Sequence, residues 1–209
     1  FSNAQAKNVM RRELGSKYIQ GLENSEPVAS ASIGQVYRVQ LMDKEVAVKV
    51  QRPNVLAEIA LDLYITREIL APVYKKLTGS ATDLQSLAQE WGRGFIGELD
   101  YRQEAKATRR FNDEMQQRGL TTICAPIVVP EYCTEQVLVT EWVDGKRIDQ
   151  SDASDIPRLC SVALNAYLVM LLELQSLHCD PHPGVRLCTI PCFGLYLTKM
   201  FAYVCIRIC

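Results

Sequence analysis

The 209-residue chain has no long run of like charge, and its formal net charge is only -1. A domain that grips nucleic acid presents a concentrated basic face, so the charge balance gives that partner no support. No internal repeat or low-complexity stretch is evident, which sets aside solenoids and tails. No apolar run reaches membrane-spanning length. Residues 158–177 come nearest, but Asn165, Glu173 and Gln175 make them too polar, and Pro191 and Lys199 interrupt the apolar C-terminal stretch. Regular cysteine spacing is missing as well. Of 8 cysteines, Cys188, Cys192, Cys205 and Cys209 crowd the end, and Cys124, Cys133, Cys160 and Cys179 are scattered. That pattern points to free thiols in a reducing compartment rather than a disulfide framework. With 48% hydrophobic and 22% charged residues, what remains is the composition of one globular domain with a sizeable core.

Residues 4–22 read as a helix carrying Lys7, Arg11 and Arg12, with Pro27 breaking the pattern. Residues 35–41 and 45–51 alternate apolar and polar side chains, the signature of a β-hairpin. Its turn, Met42-Asp43-Lys44, lacks the glycine that tight turns favour. Helical spacing predicts a helix over 55–77 and a long one over 83–118, opened by Thr82 and Gln85 as a capping pair. Strands are expected at 126–130 and 136–143, a turn at Asp144-Gly145, and a buried apolar helix over 158–177. The order of elements is that of an α+β protein.

Four segments carry residue types with chemistry. In Ala29-Ser30-Ala31-Ser32-Ile33-Gly34-Gln35-Val36, small residues stand where a glycine-rich phosphate loop has its glycines, and Gly34 and Val36 fit its last positions. Small residues let backbone amides come close to phosphate oxygens. In Val46-Ala47-Val48-Lys49, strand alternation puts Ala47 and Lys49 on one face. That leaves room for a flat base and supplies a cation for its phosphates. A solvent-facing lysine on an amphipathic strand is the plain alternative. The segment Glu98-Leu99-Asp100-Tyr101-Arg102-Gln103-Glu104 offers three acids. Asp100 and Glu104, four apart on one helix, would share a face and need a compensating cation such as Lys49. A solvated face on which Glu98 pairs with Arg102 is the competing reading. Last, His178-Cys179-Asp180-Pro181-His182-Pro183-Gly184-Val185 holds a His-x-Asp after an apolar helix, in kinase order. A rival zinc reading of His178, Cys179, His182, Cys188 and Cys192 lacks a convincing second ligand pair. Lys49, an acid from the long helix and Asp180 are expected to meet in one cleft.

The ordered strings PVASASIGQVY, VAVKVQRP, ELDYRQEA, VLVTEWVDG and LHCDPHPG resemble the UbiB, or aarF-domain, atypical kinases, from about residue 7 to Gly184. The resemblance implies a protein-kinase-like small lobe followed by the beginning of a helical large lobe. It implies ATP as cofactor, with magnesium in intact members, and a link to isoprenoid quinone metabolism. Ala29, Ser30, Ala31, Ser32, Gly34 and Val36 fall in the nucleotide loop, and Ala47 lies beside Lys49, the phosphate-contacting lysine. Glu104 is its acidic partner, Glu98 and Asp100 form a Glu-x-Asp motif, Glu141 to Val143 resemble the hinge that meets adenine, and Asp180 is the catalytic-loop aspartate. The implied division is a helical extension over 1–26, a small lobe with a helical insertion over 27–143, the start of a large lobe over 144–184, and a divergent tail over 185–209. The runs IALDLYITREI and TDLQSLAQEW look most like plant and algal plastid members, with mitochondrial members as the alternative.

Departures accompany the resemblance. The family's Lys-x-Gly-Gln element is absent, and the chain starts at Phe1, so the reading is of a piece of a longer protein whose targeting segment would lie upstream. The family's asparagine after Pro-Gly is Val185, whose hydrocarbon side chain cannot ligate magnesium. No Asp-Phe-Gly follows, and residues 185–209 resemble translated intron or frameshifted sequence. The expectations are therefore a nucleotide-binding chain without turnover, no complete metal site, and an isoprenoid lipid or membrane surface as a candidate partner. Protein partners stay open.

Overall fold

A computed structural model describes residues 1–17, 20–30, 33–79, 81–120, 123–144, 146–147, 156–173, 186–189, 193–197 and 204–206. Helix α1 spans Asn3–Leu14 and is closed by a capping box in which Ser2 and Gln5 satisfy each other's backbone amides. It stops well short of residue 22. Gly15, at φ 52, turns the chain left-handed, and 3-10 turns follow at Gly15–Lys17 and Gln20–Leu22.

Strands β1 (Pro27–Ser30), β2 (Gly34–Leu41), β3 (Lys44–Gln51) and β5 (Val137–Glu141) form an antiparallel sheet in the order β1-β2-β3-β5. The hairpin pairs Leu41 with Lys44, so Met42 and Asp43 make a two-residue turn. Met42 takes the left-handed position at φ 53, where glycine would be unstrained. Alternation along β3 sends Val46, Val48 and Val50 to one face, where they meet Tyr37 and Val39 of β2, Val137 and Val139 of β5, and Ala6, Val9, Met10 and Leu14 of α1. Fully burying a side chain of this kind stabilises by about 1.5–3 kcal/mol. This dry layer fixes the register, because a slip by one residue would turn Lys49 into it.

Beyond β3 the chain is helical. Helix α2 (Val55–Ile65) runs through a π-helical turn at Thr66–Leu70 into α3 (Ala71–Thr78). Pro72 explains the widened turn: it has no amide to give the Glu68 carbonyl, and its ring would strike that carbonyl in a regular helix. The helix predicted over 83–118 is two helices, α4 (Leu84–Glu98) and α5 (Tyr101–Gln117). Asp83, not Thr82, caps α4 by accepting from the Ser86 amide. The break at Leu99-Asp100 is held from β3, where the Gln51 side chain donates to the Leu99 carbonyl at 2.6 Å. Asp100 then caps α5, accepting from the Arg102 amide.

The strand expected over 126–130 is reduced to one bridge between Val128 and Thr140. Its neighbours are β4 (Ile123–Cys124) and a 3-10 turn at Pro130–Tyr132. Helix α6 spans Ile156–Leu172, and it is partly buried. Met170 is buried, whereas Leu164, Leu168, Leu171 and Leu172 are exposed. Arg118, at the end of α5, reaches Glu173 just past α6 at 3.0 Å. The C-terminal stretch contains strands β7 (Arg186–Thr189), β8 (Phe193–Leu197) and β9 (Val204–Ile206), which join β4 and β6 (Lys146–Arg147) in the order β4-β9-β8-β7-β6. The sequence pattern had suggested no regular element there.

Candidate functional site

The face of β3 away from α1 carries Ala47, Lys49 and Gln51. Lys49 pairs with Val36 of β2 on one side and Leu138 of β5 on the other, so it sits mid-sheet. Its ammonium donates to both carboxylate oxygens of Glu104, at 2.8 and 2.7 Å. Both side chains are sheltered, with 16% of Lys49 and 9% of Glu104 exposed. A pair this sheltered holds its geometry far better than a surface pair, because removing either partner strands a desolvated charge. Glu104 stands in the first turn of α5, where the amide end of the helix also favours a carboxylate.

Tyr101, the first residue of α5, completes the arrangement. Its ring lies under the Lys49 ammonium, 4.5 Å from nitrogen to ring centre. It is wholly buried, its amide donates to the Glu135 carbonyl at 2.9 Å, and its hydroxyl has no hydrogen-bond partner. Burial, with Glu104 nearby, pushes the phenol far above its ordinary titration range. The hydroxyl abuts Gly34: a Cβ on Gly34 would stand 2.9 Å from it and 2.8 Å from the Val50 carbonyl oxygen. Glycine at 34 is therefore enforced by the packing of α5 and β3 against the loop's end.

The other expected residues fall as follows. Ala29 and Ser30 are exposed on β1, opposite Val36 and Gln35. Ala31 and Ser32 lie outside the described residues. Val36 and Ala47 are buried beside Lys49. Glu98 ends α4. Asp100 does not share a helix face with Glu104, because the helix starts after it. Its carboxylate takes a two-pronged contact from Arg102, at 2.8 and 2.9 Å, which holds its pKa below the usual carboxylate value. Arg102 thus partners Asp100 and, at 3.5 Å, Glu135. Glu141 ends β5, accepts from Lys44, and gives its amide to the Ile127 carbonyl at 2.8 Å. Val143 follows, partly buried. Asp180, and with it the expected three-way convergence, lies outside the described residues, as do His178, Cys179, His182 and Val185.

The Lys49 ammonium is a donor of the kind that phosphate oxygens accept from. A sheltered ammonium faces a sheet surface kept shallow by Ala47, with backbone-only bulk at Gly34. Among the described residues no three His, Cys, Asp or Glu side chains gather as a metal group. Two contributors had not been singled out from the sequence, Tyr101 and Gln51. A signal for the helix break was there: Asp100 followed three residues later by Gln103 is a helix-start pattern, masked by the apolar continuity through Leu99.

An antiparallel sheet whose third strand offers a lysine to a helix-borne glutamate is the small-lobe arrangement of protein-kinase-like folds. The comparisons place the chain within that class. Residues 1–188 match the family described as the ABC1 atypical kinase-like domain, and the chain belongs to it. An aarF domain-containing protein kinase of Arabidopsis thaliana, named as chloroplastic, is 39% identical over 188 residues, 88% of this chain and 26% of that protein. The chloroplastic protein ACTIVITY OF BC1 COMPLEX KINASE 3 of the same plant is 34% identical over 198 residues, 90% of this chain and 28% of its own length. A Synechocystis protein is 33% identical over 202 residues, 91% of this chain and 35% of that protein. The chain thus spans between a quarter and about a third of these relatives, and the family match extends past Gly184 into β7.

Proposed function

We propose that this chain is the nucleotide-holding small lobe of an ABC1-type atypical kinase. Lys49 contacts the ATP phosphates and Glu104 holds Lys49 in place. Ala29, Ser30, Ala31, Ser32, Gly34 and Val36 form the loop over the phosphates, Ala47 leaves space for the base, and the Glu141–Val143 segment meets adenine. The observation that carries this reading is the sheltered Lys49–Glu104 pair, 2.7 Å at its shorter contact, because a desolvated lysine fixed to one helix is costly unless the helix–strand geometry has a use.

Phosphoryl transfer in this class is positioning plus neutralisation of charge by metal. Glu98 and Asp100 match the family's Glu-x-Asp motif and Asp180 its catalytic-loop aspartate, and Val185 stands where an asparagine ligand belongs. We therefore read the chain as binding ATP without turning it over. The family's connection to isoprenoid quinone metabolism makes such a lipid pathway the setting, and the relatives named as chloroplastic make the plastid the compartment, with the mitochondrion as the alternative. Titration of the chain with ATP, with and without magnesium, alongside a phosphate-release assay, tests this. Binding without release is expected. Magnesium-dependent release that disappears in Lys49→Ala would overturn the inactivity, and absence of binding would overturn the reading itself.

A second reading, a non-catalytic module that docks a lipid or a protein, is favoured by one observation. Leu61, Tyr64, Leu70, Val73 and Leu77 are exposed along α2, the π-helical turn and α3, an amount of exposed apolar surface that favours association. No helix among the described residues is long and apolar enough to cross a membrane. Thermal stabilisation by a quinone-like lipid and not by ATP would decide for this reading.

A further inference from the structure

The Lys49 ammonium is held from two directions, and only one of them is an ion pair. Glu104 supplies the carboxylate. The face of the Tyr101 ring supplies the second support, 4.5 Å from the nitrogen, well inside the range over which a ring's negative face attracts a cation. The two residues come from the first turn of one helix, so α5 delivers both at once. The support comes from the aromatic face and not from the Tyr101 hydroxyl, which is buried without a partner. Nor is the ring free to adapt: its backbone is tied to Glu135 and its hydroxyl end abuts Gly34. A rigid ring of fixed height beneath a lysine determines where the ammonium stands as well as which acid it faces.

We propose that Tyr101 is a positioning residue of this site, its ring face seating the Lys49 ammonium at the height at which it meets phosphate oxygens. The inference rests on the nucleotide reading for its effect on affinity, but the lysine–ring contact exists before any nucleotide binds and is measurable separately. Leu at 101 would remove the ring but also leave a cavity under α5, so it confuses support with packing. Graded fluorination avoids this. Phenylalanine and its mono-, di- and trifluorinated forms at position 101 keep the ring's shape while stepping down the negative charge of its face.

Two readouts on the full chain follow. In the absence of nucleotide, the Lys49 ε-methylene protons, assigned by comparison with Lys49→Arg, are expected upfield of those of exposed lysines, because they lie over a ring. Tyr101→Phe is expected to retain that shift and to bind ATP within about twofold of the unsubstituted chain. From phenylalanine to the trifluorinated ring, ATP affinity is expected to fall stepwise by about tenfold, with a nearly constant melting midpoint. Affinity that stays flat across the series overturns the proposal and leaves the nucleotide reading standing. Lysine signals at exposed values overturn it without reference to nucleotide. If the unsubstituted chain fails to bind ATP while the upfield shift is present, the nucleotide reading fails and with it the phosphate-directed half of the proposal.

Discussion

The two faces of one sheet show how a single strand serves two purposes. Toward α1, β3 presents Val46, Val48 and Val50 to a dry layer that includes Met10, Tyr37 and Val139. Toward α5 it presents Ala47, Lys49 and Gln51, and each of these meets something specific: a shallow surface, an ion pair and a helix break. The first face depends on volume and tolerates exchange among apolar side chains. The second depends on identity, since the Lys49 charge and the Gln51 amide each meet specific partners. Stability and chemistry are thus separated by the two-residue period of the strand, and substitutions on the two faces should have different signatures.

The largest effect expected is from Glu104→Ala, which leaves the Lys49 charge sheltered and unpaired. It should destabilise by about 3–5 kcal/mol and weaken ATP binding as well, read by denaturant unfolding and by titration. Replacing both partners by apolar residues, Lys49→Met with Glu104→Leu, should restore most of the stability and none of the binding. On the other face Met10→Ala should cost about 2–5 kcal/mol and leave ATP affinity per folded molecule unchanged. If Met10→Ala alters affinity as strongly as Glu104→Ala does, the separation of the faces fails.

Smaller effects sharpen the comparison. Asp100→Ala removes the cap of α5 and should cost about 1 kcal/mol. The Arg102 contact lowers the Asp100 pKa in the folded state. Its contribution is therefore present above the unfolded carboxylate's pKa and lost as pH falls through the lower, folded value. The gap between the unsubstituted chain and Asp100→Asn should accordingly close in acid, which unfolding curves at successive pH values would reveal. The smallest effect expected is from Met42→Gly. It relieves a left-handed non-glycine residue but loosens the unfolded chain, so the net gain should be below about 1 kcal/mol, read as a shift in melting midpoint.

The same contrast governs what could be read from the sequence. The hairpin was legible because alternation at 35–41 and 45–51 is a local pattern, whereas Glu104 as the partner of Lys49 was implied only by the family resemblance. The break at Leu99-Asp100 was not legible, because the apolar spacing runs through it and the tie from Gln51 is a long-range contact. Asp100 consequently looked like a helix-face neighbour of Glu104 when it is the cap of a new helix. Tyr101 was read as part of a motif string and given no role, since neither its burial nor the cation above it leaves a mark in local spacing.

The account depends on the sheltered lysine holding a nucleotide. Calorimetric titration of ATP into the unsubstituted chain and into the Lys49→Met, Glu104→Leu double variant, both first shown to be folded by circular dichroism, tests that most directly. Saturable binding to the unsubstituted chain, reduced at least a hundredfold in the variant, is the predicted result. Equal affinities in the two proteins would contradict it.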